Sequence, residues 1–258
     1  MRKLAILLLF VPGLMQSCRT MHATEGEAAT AWTLGGFVRP NGVNPIISPD
    51  STTTFLDPMS GTQLRWEEND TFNPGAVVKG DTVFVLYRAE DKFGIGIGFR
   101  TSRLGLAHSL DGINFSRAAA PVLFPAEDSQ KQYGWPGGLE DPRVAVTEDG
   151  TYVVFYTQWN RDVPRLGVAT SKDLRSWVKH GPIFEKANYK PLMETSHKSA
   201  SIVTTLKDDK VVIAKVNGKY WMYWGEHGVK GATSDDLVDW EPVLDQSGEL
   251  HQFIKVRP

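Results

Sequence analysis

Two acids stand side by side in the stretch Gly137-Gly138-Leu139-Glu140-Asp141-Pro142-Arg143. Carboxyls next to an arginine are the residue types that carry protons to and from a substrate. The residue before a proline is pushed toward extended backbone, and in an extended segment neighbouring side chains point to opposite faces. Glu140 and Asp141 are therefore expected to part, one looking into a cleft and the other away. Pro142 has no N–H for a strand ladder, which suits the mouth of a sheet. The glycine pair lets the backbone approach a ligand closely, or turn tightly. On local grounds a salt-bridged strand start explains the heptapeptide as well as a catalytic site does. Its surroundings decide between them.

Those surroundings are periodic. Ala107-His108-Ser109-Leu110-Asp111, Ala169-Thr170-Ser171-Lys172-Asp173 and Ala232-Thr233-Ser234-Asp235-Asp236 share one pattern, and each has an aromatic four residues after its aspartate: Phe115, Trp177 and Trp240. Ser and Asp side chains accept hydrogen bonds from nearby backbone, so these residues are expected to set turns rather than do chemistry. A strand pattern precedes each motif, at Val83–Arg88, Tyr152–Thr157 and Tyr220–Trp224. Before those come turn signals and earlier strands at Ala76–Val78, Val144–Val146 and Val211–Ile213. Each unit thus reads as a four-stranded antiparallel meander, and no long helical period interrupts them. A repeated sheet of this size predicts an all-β chain built as a β-propeller. Asn73, Asp141 and Lys198 stand at the start of the first strand of successive units, so a radial array would bring them together at its axis.

The amino terminus has a different character. Arg2 and Lys3 precede an apolar run from Leu4 to Val11, which is too short to span a bilayer and fits a signal peptide over residues 1–17. A small residue then precedes Cys18, the only cysteine of the chain, in the manner of a bacterial lipoprotein processing site. Residues 18–31 read as a polar tether, and residues 32–258 as the propeller domain. The expectation is an exported periplasmic or outer-membrane lipoprotein, lipidated at Cys18 and held to the membrane by that anchor. An ordinary signal peptide cut nearby is the alternative. A net charge of −2 gives no footprint for nucleic acid, no histidine or acid cluster has metal-ligand spacing, and one cysteine gives neither a disulfide nor a thiolate metal site.

In order along the chain, Phe72-Asn73-Pro74-Gly75-Ala76, Leu86-Tyr87-Arg88-Ala89, Gly138-Leu139-Glu140-Asp141-Pro142-Arg143 and Ala169-Thr170-Ser171-Lys172-Asp173-Leu174 resemble glycoside hydrolase family 130. The resemblance implies a five-bladed propeller that acts on β-mannosides by inverting single displacement, as hydrolase or phosphorylase. It implies Asp141 as general acid, protonating the glycosidic oxygen through a sugar hydroxyl. It places Asn73 and Arg88 around the mannosyl unit; on the residues themselves, Arg143, Lys198 and Trp135 are further candidate substrate contacts. An inverting enzyme needs an acid on one face of the sugar and a nucleophile on the other.

Two departures from the phosphorylases stand out. Where they carry a phosphate-binding arginine beyond the Trp221–Trp224 strand, this chain has Gly225-Glu226. A carboxylate repels phosphate and can activate water, which favours hydrolysis with Glu226 as base; a solvated turn residue is the other reading. Lys198, Lys179 and Arg165 leave phosphorolysis open, with inorganic phosphate as co-substrate and no other cofactor. The chain also stops at Pro258, where family members continue into a ring-closing segment, so an incomplete propeller is expected. Trp159, Trp221 and Trp224, like Trp135, could stack on sugars or fill the core, and His197 could touch substrate or be structural. Two rival functions remain: a furanoside hydrolase on a related propeller, and a surface lipoprotein that binds glycans without cutting them.

Overall fold

The computed structural model describes residues 39–92 and 95–255. The expected signal peptide, Cys18 and the expected tether fall outside them. Gly42–Pro258 forms one compact unit, and among its described residues nearly all regular structure is β.

A short hairpin, β1 (Phe55–Leu56) and β2 (Gln63–Leu64), comes first. The first meander is β3 (Asp70–Lys79), β4 (Thr82–Glu90), β5 (Ser102–Ser109) and β6 (Ser116–Arg117). One turn of helix, α1 (Lys131–Gly134), leads to the second: β7 (Gly138–Val146), β8 (Tyr152–Trp159), β9 (Arg165–Ser171) and β10 (Val178–Pro182). The two meanders touch through a parallel pair, Ser102 with Gly138. A Cβ on Gly138 would lie 2.1 Å from the Ser102 carbonyl oxygen, and its φ is +105°, so glycine is required there.

The third unit departs from the expected pattern. Its first strand is split into β11 (Ser201–Ile202) and β14 (Lys215–Val216), both paired with β15 (Lys219–Trp224). Between them a hairpin of β12 (Thr204–Lys207) and β13 (Lys210–Ile213) is inserted. Its base closes where the Ala214 N–H donates to the Val203 carbonyl at 3.1 Å. Val211–Ile213 is therefore the return arm of an insertion and not the first strand of the unit. Its apolar run mimics one because Val212 and Ile213 are buried. β16 (Gly228–Ser234), β17 (Trp240–Pro242) and β18 (Gln252–Lys255) complete this sheet, with β17 and β18 both on β16.

The repeated Ser-x-Asp motifs build the same turn three times. Ser109, Ser171 and Ser234 hydroxyls accept the N–H three residues on, from Gly112, Leu174 and Leu237, at 2.9, 2.8 and 2.9 Å. Asp111, Asp173 and Asp236 each accept two further backbone N–H groups. The late aromatics brace two of these turns: the Trp177 and Trp240 indoles donate to the Leu174 and Leu237 carbonyls, both at 3.1 Å.

Strand alternation sends side chains to two cores. Val154 and Tyr156 on β8 pack with Leu86, Leu104 and Leu106 of the first meander. Val153 and Phe155 face the other way, onto Met222, Ala232 and Trp240 of the third unit. Trp240 meets Phe155 edge-on at 5.6 Å, filling the gap between sheets as expected. The Ser-x-Asp turns gather at one end of the strands. At the other end lie the starts of β3, β7 and β11, together with the ends of β4, β8 and β15.

Candidate active site

At that second end the first strand of each unit carries the same irregularity. On β3, Phe72 pairs with Arg88 and Gly75 with Leu86, so three steps oppose two. On β7, Glu140 pairs with Thr157 and Arg143 with Phe155. In the third unit the Lys198 carbonyl accepts the Gly225 N–H at 3.0 Å, and Ser201 pairs with Tyr223. Each is a β-bulge with one extra residue. The residue after Phe72, Glu140 and Lys198 adopts the left-handed conformation: Asn73 at φ +46°, Asp141 at +52°, Ser199 at +61°. Asn and Asp tolerate that region better than most residues. Such strain points to function when the side chains it aims converge, and here they do.

The bulge overturns the expectation that Glu140 and Asp141 part. An extra residue breaks the two-residue alternation, and both carboxylates meet the same guanidinium. Arg88 donates from Nη1 to Asp141 Oδ1 at 3.1 Å and from Nη2 to Glu140 Oε1 at 2.9 Å. It also donates to Glu90 Oε1, from Nη2 at 2.5 Å and from Nε at 3.1 Å. Ser102 Oγ accepts from Nε at 3.0 Å and donates to Glu90 at 2.9 Å. Phe72 lies across the guanidinium, 4.6 Å from ring centre to Cζ. Arg88 is 5% exposed. Burial alone would favour its neutral form, but Glu140, Glu90 and Asp141 outweigh it and hold the charge.

Asn73 donates from Nδ2 to Asp141 Oδ1 at 2.9 Å. One carboxylate oxygen of Asp141 therefore takes two donors from two other strands. Among the described residues its second oxygen accepts no hydrogen bond, and the side chain is 20% exposed. Asn73, Arg88 and Asp141 thus come together as expected.

Lys198 also arrives, but in a different register. It matches Glu140 and Phe72; the counterpart of Asn73 and Asp141 is Ser199. Its ammonium lies 3.9 Å from Glu140 Oε2 and 3.8 Å from Glu226 Oε1. Among the described residues, Glu226, half exposed between β15 and β16, joins the cluster only through this lysine. Burial pushes the Glu140 carboxyl up to about 6, with Arg88 and Lys198 pulling the other way.

Among the described residues, the other candidates make no hydrogen bond or ion pair to this cluster. Arg143 follows the bulge on β7, is exposed, and has no hydrogen bond or ion pair to this cluster. Trp135 is half-buried, and its backbone N–H closes α1 on the Lys131 carbonyl at 2.9 Å. The two spare cations are committed elsewhere: Lys179 pairs with Asp128 at 2.5 Å, and Arg165 donates to the Met193 and Val163 carbonyls. His197 is structural. Its Nδ1 accepts the Leu166 N–H at 2.9 Å, and burial, with Arg165 nearby, pushes its pKa down to about 3. Trp224 is buried against Phe184, so it fills core.

Glu90, Ser102, Arg100 and Asp70 were not foreseen. Arg100 reaches Glu90 Oε2 at 3.0 Å and also pairs with Asp70. The signal was present in β4: Arg88 and Glu90 are two apart on a strand, hence on one face.

Comparison with known proteins identifies the family and the fold. The sequence profile of glycoside hydrolase family 130, described as beta-1,4-mannooligosaccharide phosphorylase, matches residues 52–255. A 1,2-beta-oligomannan phosphorylase of Thermoanaerobacter sp. (strain X514) is 33% identical over 198 residues, 72% of this chain and 57% of the relative. A crystal structure from Parabacteroides distasonis superposes with TM-score 0.85 at 59% identity, covering 88% of this chain and 65% of that one. Another structure, from work on glycoside hydrolases of the family that target β-1,2 mannosidic linkages in Candida mannan, gives TM-score 0.85 at 53% identity, covering 88% and 63%. The chain thus spans a little over half to about two thirds of the length of these relatives.

Proposed function

Because the chain belongs to glycoside hydrolase family 130, we propose that it cleaves β-mannosidic bonds of an oligosaccharide with inversion, by hydrolysis. The observation that carries the reading is Asp141, with one oxygen pinned by Asn73 and Arg88 and the other free. In this reading the free oxygen carries the proton that reaches the glycosidic oxygen, through a sugar hydroxyl as in the family. Asn73 and Arg88 fix the carboxyl so that little reorganisation is needed when the bond breaks. Protonation turns a poor leaving group into a good one, and water attacks the opposite face of the sugar. Glu226 is the proposed base. Its Oε1 lies 3.8 Å from the Lys198 ammonium, and a carboxylate positioned beside the attacking water can take its proton.

Hydrolysis is favoured over phosphorolysis by charge. Arg88, Arg100 and Lys198 face Asp70, Glu90, Glu140, Asp141 and Glu226, so acids outnumber cations. A phosphate dianion would enter against that excess. Two of the relatives name β-1,2 linkages, and that linkage is the proposed substrate. We read the three sheets as successive blades of a five-bladed propeller, and the protein as an exported lipoprotein anchored at Cys18. Incubation with β-1,2-mannooligosaccharides, with and without phosphate, tests the function. Mannose in both supports hydrolysis. Mannose 1-phosphate formed only with phosphate would replace it with phosphorolysis, and binding without any product would favour a glycan-binding protein.

A further inference from the structure

The loop between β4 and β5 holds large apolar side chains in water: Ile95 is 44% exposed, Ile97 66% and Phe99 67%. Glycines alternate with them, at Gly96 and Gly98. Residues 95–100 are nevertheless tied down. The Phe99 carbonyl accepts from Arg161 Nη2 at 2.5 Å, and its N–H donates to the Gly96 carbonyl at 3.2 Å. The Gly98 carbonyl accepts from the Trp159 indole at 3.4 Å. Trp159 itself lies against Gly137, where a Cβ would sit 2.1 Å from its ring, four residues before Asp141. At the end of the loop, Arg100 donates to the Ile95 carbonyl and reaches Glu90, which pairs with Arg88.

Adjoining apolar groups left exposed on anchored backbone mark a contact surface. A platform held before the ligand arrives costs little ordering on binding. It lies at the same end of the sheets as the candidate active site, linked to Asp141 through three ion pairs, Arg100–Glu90, Glu90–Arg88 and Arg88–Asp141. We propose that Ile97 and Phe99 form a distal subsite, taking the apolar C–H face of a sugar ring of the oligosaccharide outside the pair joined by the cleaved bond. This rests on the glycoside-cleaving reading above and names the feature that would select longer substrates.

The test compares β-1,2-mannobiose with β-1,2-mannotetraose in the wild type, Phe99→Ala, Ile97→Ala and Phe99→Trp. The ratio of kcat/KM for tetraose over biose should exceed one in the wild type. It should fall about threefold to tenfold in Phe99→Ala, the worth of one aromatic stacking contact, fall by less in Ile97→Ala, and be kept by Phe99→Trp. An unchanged ratio in Phe99→Ala, or no preference in the wild type, would overturn the subsite. The same ratio is read as affinity by calorimetry in the Asp141→Asn background. If cleavage is absent but the affinity ratio falls in Phe99→Ala, the hydrolase reading fails and the subsite stands. If the affinity ratio is also one, the subsite fails on its own.

Discussion

Glu140→Gln separates the competing forces on the buried carboxyl. Burial raises its pKa to about 6 from the usual 4.5, because desolvation outweighs Arg88 at 2.9 Å and Lys198 at 3.9 Å. A group whose folded pKa lies above its unfolded one binds more protons in the folded state. Its contribution to stability is fully present below pH 4.5 and is lost as pH rises through 6. The gap between 4.5 and about 6 corresponds to about 2 kcal/mol, at about 1.36 kcal/mol per pH unit. The glutamine variant has no such group, so the wild type should lose about 2 kcal/mol relative to it between pH 4 and pH 7. Urea unfolding followed by tryptophan fluorescence at intervals across that range gives the difference directly, with eight tryptophans as the signal. A difference that stays flat, or that moves in favour of the wild type as pH rises, would mean that the ion pairs win over desolvation and that Glu140 is ionised from well below pH 6.

Other expectations bear on the hub and its bulges. Arg88→Met leaves Glu90 and Glu140 buried with fewer partners, and should cost about 3–5 kcal/mol in chemical denaturation; adding Glu90→Gln should recover part of that loss. Ser199 repeats the left-handed bulge of Asn73 and Asp141 but is exposed and makes no side-chain hydrogen bond among the described residues. Ser199→Gly should therefore stabilise by about 1 kcal/mol, seen as a raised unfolding midpoint with activity retained.

The meanders were legible because each turn is written locally. Ser171 and Asp173 make their hydrogen bonds within a few residues, so the pattern alone carries the geometry. Asn73, Arg88 and Asp141 were legible because a repeat tells which positions are equivalent. The relation of Glu140 to Asp141 was not, because strand alternation assumes an unbroken ladder. One extra residue in left-handed backbone reverses that inference, and nothing in Asp141-Pro142 announces it. The inserted hairpin at 204–213 hid for a similar reason: Val211–Ile213 reads as strand and is strand, but pairs with its own insertion. Glu90 was passed over although it stands two residues from Arg88. Its significance depends on Ser102 and Arg100, which only the folded sheet brings to it.

Asp141→Asn tests the proposed chemistry most directly. The amide keeps an oxygen to accept from Asn73 and Arg88 but cannot deliver the proton. Release of mannose from β-1,2-mannobiose should fall by about a hundredfold or more, while the urea midpoint and the affinity for the disaccharide hold. Turnover at the wild-type rate would contradict the assignment of Asp141 as the acid.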